Sequence, residues 1–256
     1  MAYNVEQDPL LEIAAGNVAG RSVISKFGRS QNVESGVLGD IWDQGVGGTT
    51  WVAPQAARKH EIYSSNAGDA NGGTGAGVLR LYGLPDWDSA EVNEVVTMAG
   101  TVHVTTVNSY VIIHRMSVTP EGGAQPNIGR ISAVAQTDGT TTAIILATEG
   151  QTQMAIYGIP STQKLFLNRM YANLIAAKTG SEVKIKLVVN PNPDDQLPAF
   201  VVKHTLGLRA AGNSNVENHW HTYKKVEGPA IIKIQALGDD NDMDVDAGFE
   251  GVIINN

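Results

Sequence analysis

The chain contains no cysteine. That absence excludes disulfide frameworks, zinc ribbons, iron–sulfur clusters and thiol nucleophiles together. It leaves the compartment open, because a protein without thiols is indifferent to redox conditions. Charge is sparse too: Asp, Glu, Lys and Arg make up 17 % of 256 residues, against roughly 25 % in ordinary soluble domains. Little is left of the Lys/Glu/Arg mixture that coats long surface helices. Long apolar runs are missing. Tyr110-Val111-Ile112-Ile113 is among the longest and falls far short of the ~18 residues of a membrane helix. Met1 to Glu6 has neither a basic nor an apolar stretch, so no secretory signal is expected. Positive charge is in deficit, with 18 Lys and Arg against 26 Asp and Glu and a net charge of −8. This argues against a protein that coats nucleic acid or an anionic membrane.

What the chain does have is glycine, 28 residues of it, well above the ~7 % average, together with Val, Ile and Thr in short runs. Residues 1–50 read as an extended N-terminal arm. Asp8-Pro9 followed by Leu10 to Ala15 forms one short helix at most, and no period of 2 or 3.6 follows it. From residue 51 to 256 the pattern is β. Strands are expected at Val78–Tyr82, Glu94–Met98, Thr101–Thr105, Tyr110–Val118, Ile128–Val134, Ala143–Ala147, Phe200–His204, Ile231–Leu237 and Phe249–Ile254. Ala99-Gly100 would join the second and third of these as a hairpin, and Asp138-Gly139 would turn between Val134 and Ala143. Val183 to Val189 alternates apolar residues with Lys184 and Lys186, the pattern of a half-buried antiparallel strand. Residues 164–178 carry Phe166, Met170, Leu174 and Ala177 at helical spacing, yet lie between strands; strand is favoured slightly over helix. Strand and turn spacing predicts an all-β fold, an antiparallel, jelly-roll-like β-sandwich.

No motif supplies chemistry. The tract from Gly68 to Gly77 lacks the Gly-Lys-Ser/Thr of a phosphate loop and leads into a strand, so it reads as a surface loop or turn. Asp240, Asp242 and Asp244 alternate like the start of a calcium loop, but Val245 and Gly251 stand where the glycine and glutamate belong; an irregular calcium site is the weak alternative to a solvated loop. His219-Trp220-His221 offers two imidazoles and no third ligand. Trp87, between Asp86 and Asp88, is a weak candidate for a ligand-binding aromatic. No catalytic residue and no cofactor are expected.

Several short segments taken together are similar to β-rich virion structural proteins of tailed bacteriophages, of the marine and cyanobacterial type. They are Gly39-Asp40-Ile41-Trp42-Asp43-Gln44-Gly45, Glu61-Ile62-Tyr63-Ser64-Ser65-Asn66, Val95 to Thr101, Asn127-Ile128-Gly129-Arg130-Ile131 and Ala155 to Pro160. The resemblance implies a particle component without enzymatic activity. The reading that follows is a capsid decoration or cement protein on the virion surface, assembled in the host cytoplasm. It would bind the major capsid protein as a homo-oligomer, a trimer being favoured, with neither nucleic acid nor membrane as partner. Phe27, Ile41, Trp42 and Trp51 are the expected docking anchors of the arm. The alternative is a carbohydrate- or receptor-binding module of a tail or fibre, using Trp87 and the Gly68–Gly77 loop.

Overall fold

A computed structural model describes residues 8–44, 50–54, 56–120, 126–194 and 199–256. Among these residues one short helix, α1 (Pro9–Ala14), precedes a run of strands. Asp8 caps the helix, its carboxylate accepting from the Leu10 amide at 2.9 Å. In chain order the strands are β1 (Arg21–Val33), β2 (Leu38–Asp40), β3 (His60–Ser64), β4 (Val78–Leu84), β5 (Val92–Thr97), β6 (Val104–Thr105), β7 (Ile112–Val118) and β8 (Ile131–Ala135). They continue as β9 (Thr141–Ile145), β10 (Ile156–Ile159), β11 (Gln163–Ala176), β12 (Glu182–Asn190), β13 (Val201–Arg209), β14 (Asn215–Glu227), β15 (Ala230–Gly238) and β16 (Met243–Asn255). The fold is all-β, and every named strand pairing is antiparallel.

The strands form four sheets. The first has the order β1-β16-β11-β14, and the second β10-β15-β12-β13 with β2 also on β15. The third runs β6-β3-β8-β9 and the fourth β5-β4-β7. Inward residues of the first two sheets meet in one core, with Leu165, Leu167 and Phe249 from one and Ile185, Leu187 and Ile234 from the other. The other two sheets close a second core around Leu79, Leu81, Ile62, Ile113 and Ile131.

The cores share a wall. Ile41 belongs to the first core and Trp42 to the second; Ala155 and Tyr157 face the first, Met154 and Ile156 the second. Successive side chains of an extended chain point to opposite faces, so these stretches serve both cores at once. β10 and most of β15 are buried throughout, as expected of strands covered on both sides.

Residues 21–43, expected in an extended arm, lie in the body. β1 is hydrogen-bonded to β16 along its length, from Arg21 opposite Ile254 to Val33 opposite Met243. Its buried positions are Lys26, Gly28, Ser30 and Val33, so the inward face carries almost no apolar signal. Gly28 allows a close approach: a Cβ there would sit 2.5 Å from the Ala155 nitrogen and 2.7 Å from the Ile41 oxygen. Residues 164–178 contain the strand β11. A bulge between Leu167 and Arg169 shifts the alternation by one, so Leu165 and Leu167 face inward before it and Met170, Ala172 and Leu174 after it. Phe166 therefore lies on the other face from Met170 and Leu174, and the four-residue spacing of the three marks no single helical face.

The Glu94–Thr105 hairpin does not form. β5 pairs with β4, β6 is a two-residue strand on β3, and Val102 is 65 % exposed. Gly100, at φ +64, turns the chain against Ala67 instead. The expected turn at Asp138-Gly139 does join β8 to β9, with Gly139 at φ +69.

Candidate functional site

Most of the residues singled out in the sequence are structural. Ile41 is fully buried, and Trp42 and Trp51 are 4 % and 3 % exposed. Trp51 donates its indole N–H to the Thr142 carbonyl at 2.8 Å and its amide to Asp40 at 2.7 Å. None of the three presents a surface to a partner: Ile41 packs in the first core, Trp42 and Trp51 in the second. Trp87, the candidate ligand-binding aromatic, is 7 % exposed and belongs to the second core, close to Gly158. Phe27 alone of the proposed anchors keeps a surface, 38 % exposed.

Asp240, Asp242 and Asp244 diverge. Asp240 accepts from Lys178 at 2.9 Å, Asp244 takes both arms of the Arg29 guanidinium, and Asp242 sits at φ +59 in the turn. Among the described residues no three carboxylates or imidazoles converge as a metal cluster. His219 and His221 are exposed on β14, His219 pairing with Glu217, while Trp220 is half-buried and meets His204 edge-on at 5.3 Å.

The glycine tract is held by Asp69, which is fully buried. Its carboxylate accepts from the amides of Ala76, Ile128 and Gly129 and from the Ser64 hydroxyl, at 2.5–2.9 Å. The tract is the expected surface turn, with residues 71–74 exposed, and the buried Asp69 carboxylate pins its base to the segment around Ile128.

A different group of residues converges between β1 and β7. Lys26, on the inward face of β1, is 8 % exposed and donates from Nζ to the His114 carbonyl. His114 is 2 % exposed; its Nε2 lies 2.6 Å from a Glu91 carboxylate oxygen and its ring 4.4 Å from that of Tyr157. Arg115, the next residue, lies 5.6 Å over the Tyr82 ring. These six side chains line a cleft of about 310 Å³. A second cleft, about 220 Å³, adjoins it along β1 and shares Ser25, Lys26 and Arg115, with Phe27 on its wall.

The electrostatics follow from the burial. Desolvation, reinforced by the Arg115 charge and opposed by Glu91, brings the Lys26 ammonium down to about 7. Burial also lowers His114, against the pull of Glu91. Burial works to raise Glu91, but the hydrogen bond from His114 and the charges of Lys26 and Arg115 outweigh it, and the carboxyl ends below its usual range. Burial raises the Tyr157 hydroxyl. Ionisable groups shifted by burial and by charged neighbours, gathered in one cleft, make it a functional-site candidate. The arrangement can hold an anion on two adjacent cations and accept or donate hydrogen bonds from one wall. Nothing local in the sequence announces it, since its members come from positions 26, 82, 91, 114, 115 and 157; the only signal is the His114-Arg115 pair inside an apolar strand.

The second feature is a surface. β13 and β14 are the last strands of their sheets and touch one another at the same side of the larger core. Val201, Val202 and Tyr223 are 49 %, 50 % and 43 % exposed. Lys203, Lys224 and Lys225 are their neighbours along the two strands, Lys224 lying 5.6 Å over the Trp220 ring and Lys225 pairing with Glu227 at 2.8 Å.

No family model matches the chain, and no curated protein matches it. Solved structures that align with it include the infectious bursal disease virus VP2 subviral particle, at TM-score 0.25 and 8 % identity, over 97 % of this chain and 78 % of that one. The structure of the infectious bursal disease virus Gx strain aligns at TM-score 0.22 and 10 % identity, over 92 % and 71 %. Overlap this slight carries no argument about the present chain.

Proposed function

We propose that this chain is a non-enzymatic structural subunit of a bacteriophage particle, a decoration or cement protein that sits on the capsid, assembles as a homo-oligomer such as a trimer and binds the major capsid protein. The sequence segments similar to phage virion proteins support the setting. The observation that carries the assembly role is the double edge: β14 and β13, of 13 and 9 residues, end two sheets side by side with exposed apolar side chains. An unpaired strand edge is a template for another chain, and a protein with no use for it normally blunts it. The two sheets facing across the larger core serve, in this reading, as a jelly-roll-like sandwich body. Contact with the shell runs through β13 and β14 rather than through Ile41, Trp42 and Trp51.

The test is assembly. Purified protein is mixed with undecorated shells, and copy number is read by gradient co-sedimentation and electron microscopy, alongside sedimentation velocity of the free protein. Binding at a fixed, symmetric copy number, lost in the Val202→Asp/Tyr223→Asp double variant, is the expected result. A protein that stays monomeric and never joins a shell, or a double variant that decorates normally, defeats the reading.

A further inference from the structure

We propose that the cleft between β1 and β7 binds an acidic sugar, a single ring bearing a carboxylate, with Lys26 and Arg115 taking the carboxylate and His114 Nδ1 receiving a ring hydroxyl.

Three observations lead there. The first is a local excess of positive charge. Lys26 and Arg115 lie close enough to oppose each other's charge, and the one carboxylate of the cleft, Glu91, is already engaged by His114. A desolvated anion between two such cations makes charge-assisted hydrogen bonds, stronger than neutral ones. The second is an open acceptor. Glu91 as a carboxylate can only accept, so the proton of the neutral His114 ring is on Nε2 and its Nδ1 is a lone pair. That Nδ1 is buried and has no hydrogen-bond partner among the described residues. Leaving a buried polar atom without a partner is unfavourable, and the group that would meet it is a donor such as a hydroxyl. A plain carboxylate brings none. The third is shape. At about 310 Å³ the cleft is at the small end of the ~300–1,000 Å³ of ligand sites, suited to one sugar ring. Tyr82 and Tyr157 supply flat apolar walls, and Ser22 and Ser25 supply hydroxyls at the rim. The cleft and the β13–β14 edge use different residues, so ligand binding and assembly are tested separately.

The experiment is titration calorimetry of the full chain at pH 6.5 with D-glucuronate and with N-acetylneuraminate, and with D-glucose and inorganic phosphate as controls. Saturable binding of at least one acidic sugar is expected, at least tenfold tighter than glucose and than phosphate. Arg115→Gln, at an exposed position, should weaken that binding tenfold or more, and Lys26→Met should do the same while circular dichroism shows the fold retained. If Lys26→Met does not fold, the Arg115→Gln result decides. Failure of both acidic sugars to bind, equal binding of glucose, equal binding of phosphate (a simple anion site) or unchanged affinity in Arg115→Gln would each overturn the proposal.

Discussion

Asp40 and Lys233 form an ion pair of 2.7 Å in which neither side chain is more than 2 % exposed. The same carboxylate accepts from the Trp51 amide and from Gln235, and the Lys233 ammonium lies 4.1 Å from the Phe200 ring centroid. The pair ties the β2 edge to β15 in the wall between the cores. Breaking such a pair from one side leaves a buried charge alone and costs about 3–5 kcal/mol. Asp40→Ala is expected to lower stability by that amount in urea unfolding. The double variant Asp40→Leu/Lys233→Met should recover part of it, since no uncompensated charge remains although the Trp51 amide and Gln235 still lose their acceptor.

Gly28 is where β1 presses on the extended stretches that carry Ile41 and Ala155. A Cβ would meet backbone atoms at 2.5 and 2.7 Å, and backbone cannot step aside as a flexible side chain can. Gly28→Val is expected to destabilise by at least the ~1–3 kcal/mol of ordinary overpacking, and to speed hydrogen exchange at Ala155 and in β10. Thermal melts with exchange mass spectrometry would check both.

Asp69 is a hub of the second core. Its removal strands three amides and a hydroxyl. At ~1–3 kcal/mol for each unmet buried group that water does not reach, Asp69→Ala should be among the most damaging single changes in residues 51–154. Asp69→Asn keeps the shape but turns one acceptor into a donor facing donors, so it should also lose several kcal/mol. Denaturant midpoints of the two variants decide; a loss below about 1 kcal/mol in both would contradict the hub role.

Two buried groups give opposite pH slopes in adjoining windows. Lys26 is lowered from 10.5 to about 7. Above pH 7 the folded chain releases a proton that the unfolded chain keeps, so stability from this group rises with pH towards 10.5. Asp43 is raised from 3.8 to about 7, first by burial, then by Glu149 and by Asp246 and Asp244, against Arg29. Between about pH 4 and 7 the folded chain keeps a proton that the unfolded chain has lost, so its contribution falls as pH rises. Relative to Lys26→Met, the wild type should gain roughly 3–5 kcal/mol from pH 7 to 10.5, at ~1.4 kcal/mol per pKa unit. Relative to Asp43→Asn, it should lose a similar amount from pH 4 to 7. Urea titrations across both windows, with each variant beside the wild type, isolate each group.

The all-β class was legible because strands such as β12 alternate Val183, Ile185, Leu187 and Val189 with polar neighbours, and hydrophobic period is the strongest local signal. β1 was not legible. Its inward positions hold Lys26, Gly28 and Ser30, chosen by a cleft and a close backbone approach rather than by an apolar core. The aromatic residues misled for a related reason. Trp42, Trp51 and Trp87 lie in glycine-rich or turn-like stretches with no period, where exposure is the natural guess; only the second core, assembled from distant strands, explains their burial. The cleft was out of reach of local reading, because Lys26 and His114 are 88 positions apart.

Arg21 pairs with Ile254 and Lys26 with Phe249, so β1 acquires its partner only after more than two hundred further residues have been synthesised. During translation that early strand has no neighbour to zip against, and long-range pairing of this kind is slow and exposes sticky surface while it waits. The lysine, glycine and serine along its inner face then have a second merit: they keep a ribbon that must linger unpaired from adhering to other nascent copies before β16 emerges from the ribosome.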